Sequence, residues 1–340
     1  MESTMVYTMI IFGIIFIFLG SYCLKKCYNK NTWIAAFVKI AAISLPVITV
    51  CSVQDIMGNS SMSFEVIIGT DIVMSMMIIG KMFCERSCLY DNERRDILSG
   101  LAYGVSVFVI LLFLAGNYGI KQNTKTYITW TDGVILIAIA GIFLVVSVLK
   151  NRDQTEWVAL CKTDILMLLA GIVFDIAGGI LISVRAYRYP VMLGMTQKKF
   201  ASVIFPLIIF VPQLIAYYSK LHANFIIACQ QKTFCKSCNA TSDKLHLDNK
   251  SADLRKQNVS YKESEIIAIS INICLLTIGI SALIKDIRIN IYNLYDIMFI
   301  PIVYFIVWIL VKCERVKERV IGCTILTMYL AYIIFTFGVL

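Results

Sequence analysis

Apolar residues run in stretches of membrane length along nearly the whole chain, and polar residues gather in the short gaps between them. Ten such stretches stand out, at 5–23, 33–54, 64–84, 97–118, 132–149, 161–184, 200–219, 264–284, 293–311 and 320–340. A helix that crosses the hydrocarbon core needs about 20 predominantly apolar residues. Inside the bilayer no water satisfies backbone polar groups, so each crossing segment must bond within itself. The pattern predicts an all-α polytopic membrane protein with about ten transmembrane helices. The first stretch has no basic segment before it and only SYCLKKCYNK after it, which reads as an uncleaved span rather than a removable signal peptide.

Division of the ten spans five and five exposes an internal repeat. Span two, NTWIAAFVKIAAISLPVITV, and span seven, QKKFASVIFPLIIFVPQLIAYY, place Pro46 and Pro212 at similar distances after a polar lead-in. Span five, WTDGVILIAIAGIFLVV, and span ten, RVIGCTILTMYLAYIIF, bring Gly133 near Gly322. Spans three and eight each run apolar to a glycine, Gly80 and Gly279, and then meet charge. Five is odd, so the second half enters the membrane in the opposite sense. This predicts a 5+5 inverted-topology repeat, residues 1–150 and 151–340. In such carriers the binding site lies near the midplane, at paired interrupted helices. Pro46 and Pro212 are the expected interruptions, with Pro206 a second break shortly before Pro212. The competing reading of the two prolines is a pair of packing kinks.

Composition agrees: 59% of residues are hydrophobic, 16% are charged, and mean hydropathy is +0.79. The formal charge of +9 falls mainly in the loops of one side, including LKKCYNKN, ERSCLYDNERRD, KNRDQTE and KCERVKER. By the positive-inside rule that side is cytosolic, with the polar 229–263 insert, and both termini are extracytosolic. The segment 185–199, with Arg185, Arg188, Lys198 and Lys199, is the exception. The basic excess is read as topology; no basic-aromatic interleaving marks a nucleic-acid surface. The expected partners are the lipid bilayer and an inorganic cation, with no cofactor. Among twelve cysteines, CKSC at Cys235 and Cys238 is the one metal-like spacing. A zinc site wants four ligands, so these two are weak candidates. No phosphate loop, HExxH or GxSxG motif is present, which argues against an enzyme.

Ionisable residues inside spans are costly and mark function by default. Lys39 lies two turns before Pro46 on the same helix face. Asp71 lies near the start of span three, with Glu65 one to two turns earlier, and Asp175 lies in the middle of span six. The functional reading pairs Lys39 with Asp71, the ammonium standing in for a coordinated cation. The alternative is a static ion pair that fixes the packing of spans two and three.

The stretch Ile43 to Asp71, ISLPVITVCSVQDIMGNSSMSFEVIIGTD, resembles the first alpha repeat of the calcium/cation antiporters, the sodium/calcium exchanger superfamily. That family's pattern is roughly GTSLPE, a GN-containing loop, then GNxxGSNxxN. Ser44-Leu45-Pro46 falls on SLP, Gly58-Asn59 on GN, Gly69-Thr70-Asp71 on GSN, and Gly80 on the glycine ending the next helix. The motif covers 43–80, and its second copy falls near 209–213. The resemblance implies a midplane cation site at Ser44, Thr70, Asp71 and Gln213, beside Pro46 and Pro212, with Ser270 and Asn272 as second-repeat oxygens. It also implies what is missing. Val47 and Gln213 stand where the family places glutamates, Met74 stands for its last Asn, and Ile209 and Phe210 replace Thr and Ser. Calcium takes six to eight oxygens, with carboxylates supplying charge. The function expected is therefore a cation antiporter with a glutamate-free site. Two rivals stay open: a transport-inactive scaffold acting through 229–263, and a proton- or monovalent-coupled small-solute carrier.

Overall fold

The computed structural model describes residues 2–28, 33–85, 91–116, 126–152, 162–213, 215, 263–289, 291–313 and 316–339. Helix α1 spans Glu2–Tyr28 and α2 spans Trp33–Ile56. Helix α3, Ser60–Ile72, passes through a π-helical stretch, Val73–Ile78, into α4, Ile79–Glu85. Helix α5 covers Asp91–Gly116, β1 covers Thr126–Ile128 and α6 covers Trp130–Arg152. The second half begins with α7, Lys162–Ser183, and the short α8, Arg188–Met192. Then α9, Gln197–Lys199, leads through a second π stretch, Phe200–Ile204, into α10, residues 205–213. Helix α11 is Glu263–Ile284, β2 is Ile287–Ile289, α12 is Ile291–Lys312 and α13 is Glu318–Val339.

Seven of the described helices are long and apolar enough to cross a membrane, and the shorter apolar helices Ala42–Ile56 and Trp130–Val145 fall on spans two and five. The described part of span seven is helical too. The chain is an all-α polytopic membrane protein in a 5+5 inverted repeat.

The packing carries the repeat. Helix α1 lies along α7, and α5 along α12. Helix α6 packs on α11, while α13 packs on α4; α2 packs on α11, while the second π stretch packs on α3. Exchange of span one for six, two for seven, three for eight, four for nine and five for ten turns this set of pairings onto itself. A two-fold axis in the membrane plane requires that.

Glycines fix the crossings. Lipid is as apolar as leucine, so helix association in a bilayer depends on close backbone approach. A Cβ on Gly133 would lie 2.8 Å from the Gly279 carbonyl oxygen, and one on Gly279 would lie 2.9 Å from that of Gly133. The equivalent crossing has Gly322 on Gly80: a Cβ on Gly322 would lie 2.6 Å from the Gly80 carbonyl oxygen. The glycines paired by sequence alone are thus the contact points of two equivalent crossings.

The prolines behave differently from expectation. Helix α2 continues through Pro46, and α10 continues through Pro206 and Pro212. The departures from α geometry are instead the two π stretches, in spans three and seven. A proline removes one backbone donor and kinks a helix, but flanking packing can hold the helix together across it. Pro206 leaves the Ser202 carbonyl without its usual donor. That carbonyl sits inside the second π stretch and abuts Gly69 of α3, where no side chain blocks the approach.

Candidate functional site

Helices α3 and α11 cross at the pseudo-two-fold axis. Asp71 lies nine residues before Gly80, and Ser270 lies nine before Gly279, so the two occupy equivalent positions of the two repeats. Across the axis they touch: Ser270 Oγ donates to Asp71 Oδ1. Both are buried, Asp71 at 2% exposure and Ser270 at 0%. The other oxygen, Asp71 Oδ2, has no hydrogen-bond partner. Ser75 Oγ donates to the Asp71 main-chain carbonyl at 2.6 Å. The Tyr304 hydroxyl lies in the same neighbourhood as Asp71, Ser270 and Ser75, and Cys274 lies close to Asp71. Tyr304 fits because it faces Gly104 on α5, where a Cβ would lie 2.6 Å from the tyrosine ring. A charged carboxylate this deep is costly in a bilayer, so a proton or a cation must balance it. Carboxylate and hydroxyl oxygens are hard donors and suit alkali or alkaline-earth ions.

The other residues singled out by sequence are distributed around this crossing. Thr70 Oγ1 donates to the Val66 carbonyl at 2.7 Å. Asn272 Nδ2 donates to the Ala268 carbonyl at 2.9 Å, and its Oδ1 has no hydrogen-bond partner. Gln213 Nε2 donates to the Ile43 carbonyl at 3.4 Å, which ties span seven to span two just before Ser44. Its Oε1 likewise has no hydrogen-bond partner. Ser44, Pro46 and Pro212 are buried. Val47, where the resemblance places a glutamate, is buried at 0% exposure. Asp175 is elsewhere: it sits at the α1–α7 crossing against Gly20, with no hydrogen-bond partner on either carboxylate oxygen. The side chain of Lys39 lies outside the described residues, as do Cys235, Cys238 and the insert through residue 262. Among the described residues, no group of three or more His, Cys, Asp or Glu could hold a metal ion.

Two buried polar clusters were not foreseen. Lys198 Nζ lies 3.3 Å from Asp296 Oδ2, with Glu65 close to both and Tyr332 beside Asp296. Lys199 Nζ donates to the Phe337 carbonyl at 3.0 Å. Two of the basic charges in the exceptional 185–199 segment are thus bound into the bundle. The available signal was Asp296, a lone carboxylate inside the ninth apolar run. The second cluster joins three helices: Ser63 Oγ donates to Asp55 Oδ2 at 3.1 Å and lies 3.3 Å from Ser281 Oγ.

No family model matches the chain, and no curated protein matches it in sequence. Solved structures do match in fold. A structure of the sodium-calcium exchanger NCX_Mj soaked with sodium and strontium superposes with a TM-score of 0.55 at 17% identity, covering 97% of this chain and 96% of that one. The same exchanger soaked without sodium or calcium gives 0.56 at 15% identity, covering 97% and 98%. Native YfkE gives 0.60 at 12% identity, covering 97% and 91%. At these identities the likeness is one of fold.

Proposed function

We propose that the protein is a membrane cation antiporter that works by alternating access around Asp71 and Ser270, where its two inverted repeats cross. The observation that carries the reading is the buried Asp71 carboxylate, bonded on one oxygen by its own repeat counterpart and open on the other. The fold shared with a sodium-calcium exchanger supports it. Thr70, Ser44, Gln213 and Asn272 are the further oxygen donors of the proposed site. With Val47 and Gln213 in the two glutamate places, the carboxylate at the crossing balances one positive charge. That favours sodium, potassium or a proton over calcium, which prefers several carboxylates. Both termini are placed extracytosolically in this reading. The partial burial of Lys198 and Lys199, held by Asp296 and the Phe337 carbonyl, weakens the one loop that spoke against it.

The test is gradient-driven uptake in proteoliposomes. With sodium or protons inside and labelled sodium, potassium analogue or calcium outside, the natural protein is expected to accumulate at least one label and Asp71→Asn to lose that uptake. Equal uptake by both would remove Asp71 from the mechanism. No uptake by either would favour the second reading, a transport-inactive scaffold acting through the 229–263 insert. The fully buried, apolar Val47 at a glutamate place is the feature that favours that reading.

A further inference from the structure

Helices α1 and α7 cross through two pairs of glycines. A Cβ on Gly13 would lie 3.0 Å from the Gly178 carbonyl oxygen, and one on Gly178 would lie 2.8 Å from that of Gly13. A Cβ on Gly20 would lie 2.8 Å from the Gly171 carbonyl oxygen, and one on Gly171 would lie 3.1 Å from that of Gly20. Each helix spaces its two glycines seven residues apart, so Gly13 corresponds to Gly171 and Gly20 to Gly178 across the repeats. The same correspondence sets Asp175 in the place of Ile17. Ile17 covers Gly178, with its Cγ1 2.8 Å from where a Cβ would stand, and Asp175 covers Gly20 through Oδ1. One and the same packing position is thus apolar in the first repeat and a carboxyl in the second.

The surroundings of that carboxyl decide what it can hold. Asp175 is 0% exposed, and neither of its oxygens has a hydrogen-bond partner. Phe174 beside it faces Phe16, with ring centroids 5.7 Å apart, and Leu24 covers Gly171. A hard cation takes several oxygens, calcium six to eight. Ser21, next to Gly20, adds one hydroxyl, buried and likewise without a partner. The Gly171 carbonyl oxygen crowds the same glycine as Asp175 Oδ1. A carbonyl oxygen only accepts, so it becomes a partner for this carboxyl only when the carboxyl carries a proton. A carboxylate buried without a partner takes up a proton in preference to keeping its charge.

We propose that Asp175 is a second ion site, specific for a proton, and that the antiporter carries its counter-ion there, apart from the cation at Asp71. This rests on the antiporter reading and adds where the exchanged ion sits. The step is the addition of one proton from water to the Asp175 carboxylate, or its return to water; one O–H bond forms or breaks and nothing else changes. The site is tied to the cation site through α2. Gly179 lies one turn beyond Asp175, and a Cβ there would lie 2.9 Å from Thr49 Cβ and 3.3 Å from the Pro46 carbonyl oxygen. Ser183, two turns beyond, donates to the Val50 carbonyl at 3.4 Å, and Gln54 Nε2 donates to the Ser183 carbonyl at 2.6 Å. Loss of the proton leaves a charge that the closed crossing cannot solvate, so α1 and α7 must loosen, and α7 is fastened to α2 where it passes Pro46. The titratable groups of the elements packed around Asp175 are Cys23 and Lys25 on α1, Lys39 and Asp55 on α2, and Asp164 on α7 itself. The side chain of Lys39 is outside the described residues; none of the others acts on Asp175.

The test uses Asp175→Asn and Asp175→Ile in the full chain. Asp175→Ile copies Ile17 and leaves no polar group at the crossing, so it is the variant least exposed to misfolding. The infrared spectrum of the natural protein at neutral pH should contain the carbonyl band of a protonated carboxyl that both variants lose. Saturating sodium, potassium or calcium should leave that band in place. In proteoliposomes, an acid interior should speed cation uptake by the natural protein, and both variants should lose that response to the pH gradient. No band assignable to Asp175, or a band removed by any of the three cations, would overturn the proton site. Uptake that still follows the pH gradient in either variant would overturn its role as the counter-ion site, and so would uptake by the natural protein that ignores the gradient. If the natural protein moves no cation yet the cation-insensitive band is present, the antiporter reading fails and the proton site stands.

Discussion

Gly322→Ala is expected to destabilise the bundle, and the structure fixes the size of the effect. The added methyl would lie 2.6 Å from both the Gly80 carbonyl oxygen and the Cys84 backbone nitrogen. An ordinary carbon–oxygen contact is about 3.3 Å or more, so α13 and α4 must separate by roughly 0.7 Å. Both obstacles are backbone, so no rotamer change relieves them. Overpacking of this kind costs about 1–3 kcal/mol. Gly141 supplies the control, because a Cβ there meets nothing within 4 Å. Gly141→Ala should gain up to about 1 kcal/mol from helix propensity. The two substitutions are chemically identical and should differ by roughly 2–4 kcal/mol, in opposite directions. Gly133→Ala, at the equivalent crossing, should behave like Gly322→Ala. Its methyl would sit 2.8 Å from the Gly279 carbonyl oxygen and 2.9 Å from Ala282 Cβ. Reversible unfolding of the purified protein by SDS titration in mixed micelles reads these differences. If Gly322→Ala and Gly141→Ala unfold at the same SDS fraction, the glycine crossings do not organise the repeats.

Two further outcomes follow from buried charge. Lys198→Met leaves Glu65 and Asp296 together without their cation and should cost about 3–5 kcal/mol in the same titration, while Lys198→Met with Asp296→Leu should cost markedly less. Equal costs for the single and double variants would mean that the pair is not what the helices close around. Val47→Glu places a carboxylate in a fully buried position and should lower the melting temperature in the absence of divalent ions. Millimolar calcium should restore it if Val47 occupies a ligand place, and a calcium-independent loss would remove it from the site.

Much of the fold was legible in sequence because a bilayer imposes a length on every apolar run. All ten runs are helical where the structure describes them. The repeat was legible through glycine, since a helix crossing needs a small residue wherever two backbones meet. Glycine positions in the two halves pair Gly80 with Gly279 and Gly133 with Gly322, and the backbones meet at these glycines. The prolines misled because a missing donor marks a perturbed helix without stating how it is absorbed. Pro46 lies within a continuous helix, and Pro206 lies beside a π stretch instead of a break. Asp71 stood out as a charge within an apolar run. Its partnership with Ser270 did not, because the long insert ahead of α11 obscures the register of the second repeat. Asp55 and Asp296 were passed over because each lies within a few residues of the end of an apolar run, where a charge ordinarily reaches water. Tertiary packing buries both.

The most direct test of the central claim is the position of a bound ion. Crystals soaked with thallium(I), and separately with strontium, should show anomalous scattering beside Asp71 Oδ2 and Ser270 Oγ. The peak should be stronger for the monovalent ion and absent in Asp71→Asn. A peak that persists in Asp71→Asn, or one confined to the Glu65–Lys198–Asp296 cluster or the α1–α7 crossing at Asp175, would contradict a transport site where the two repeats meet.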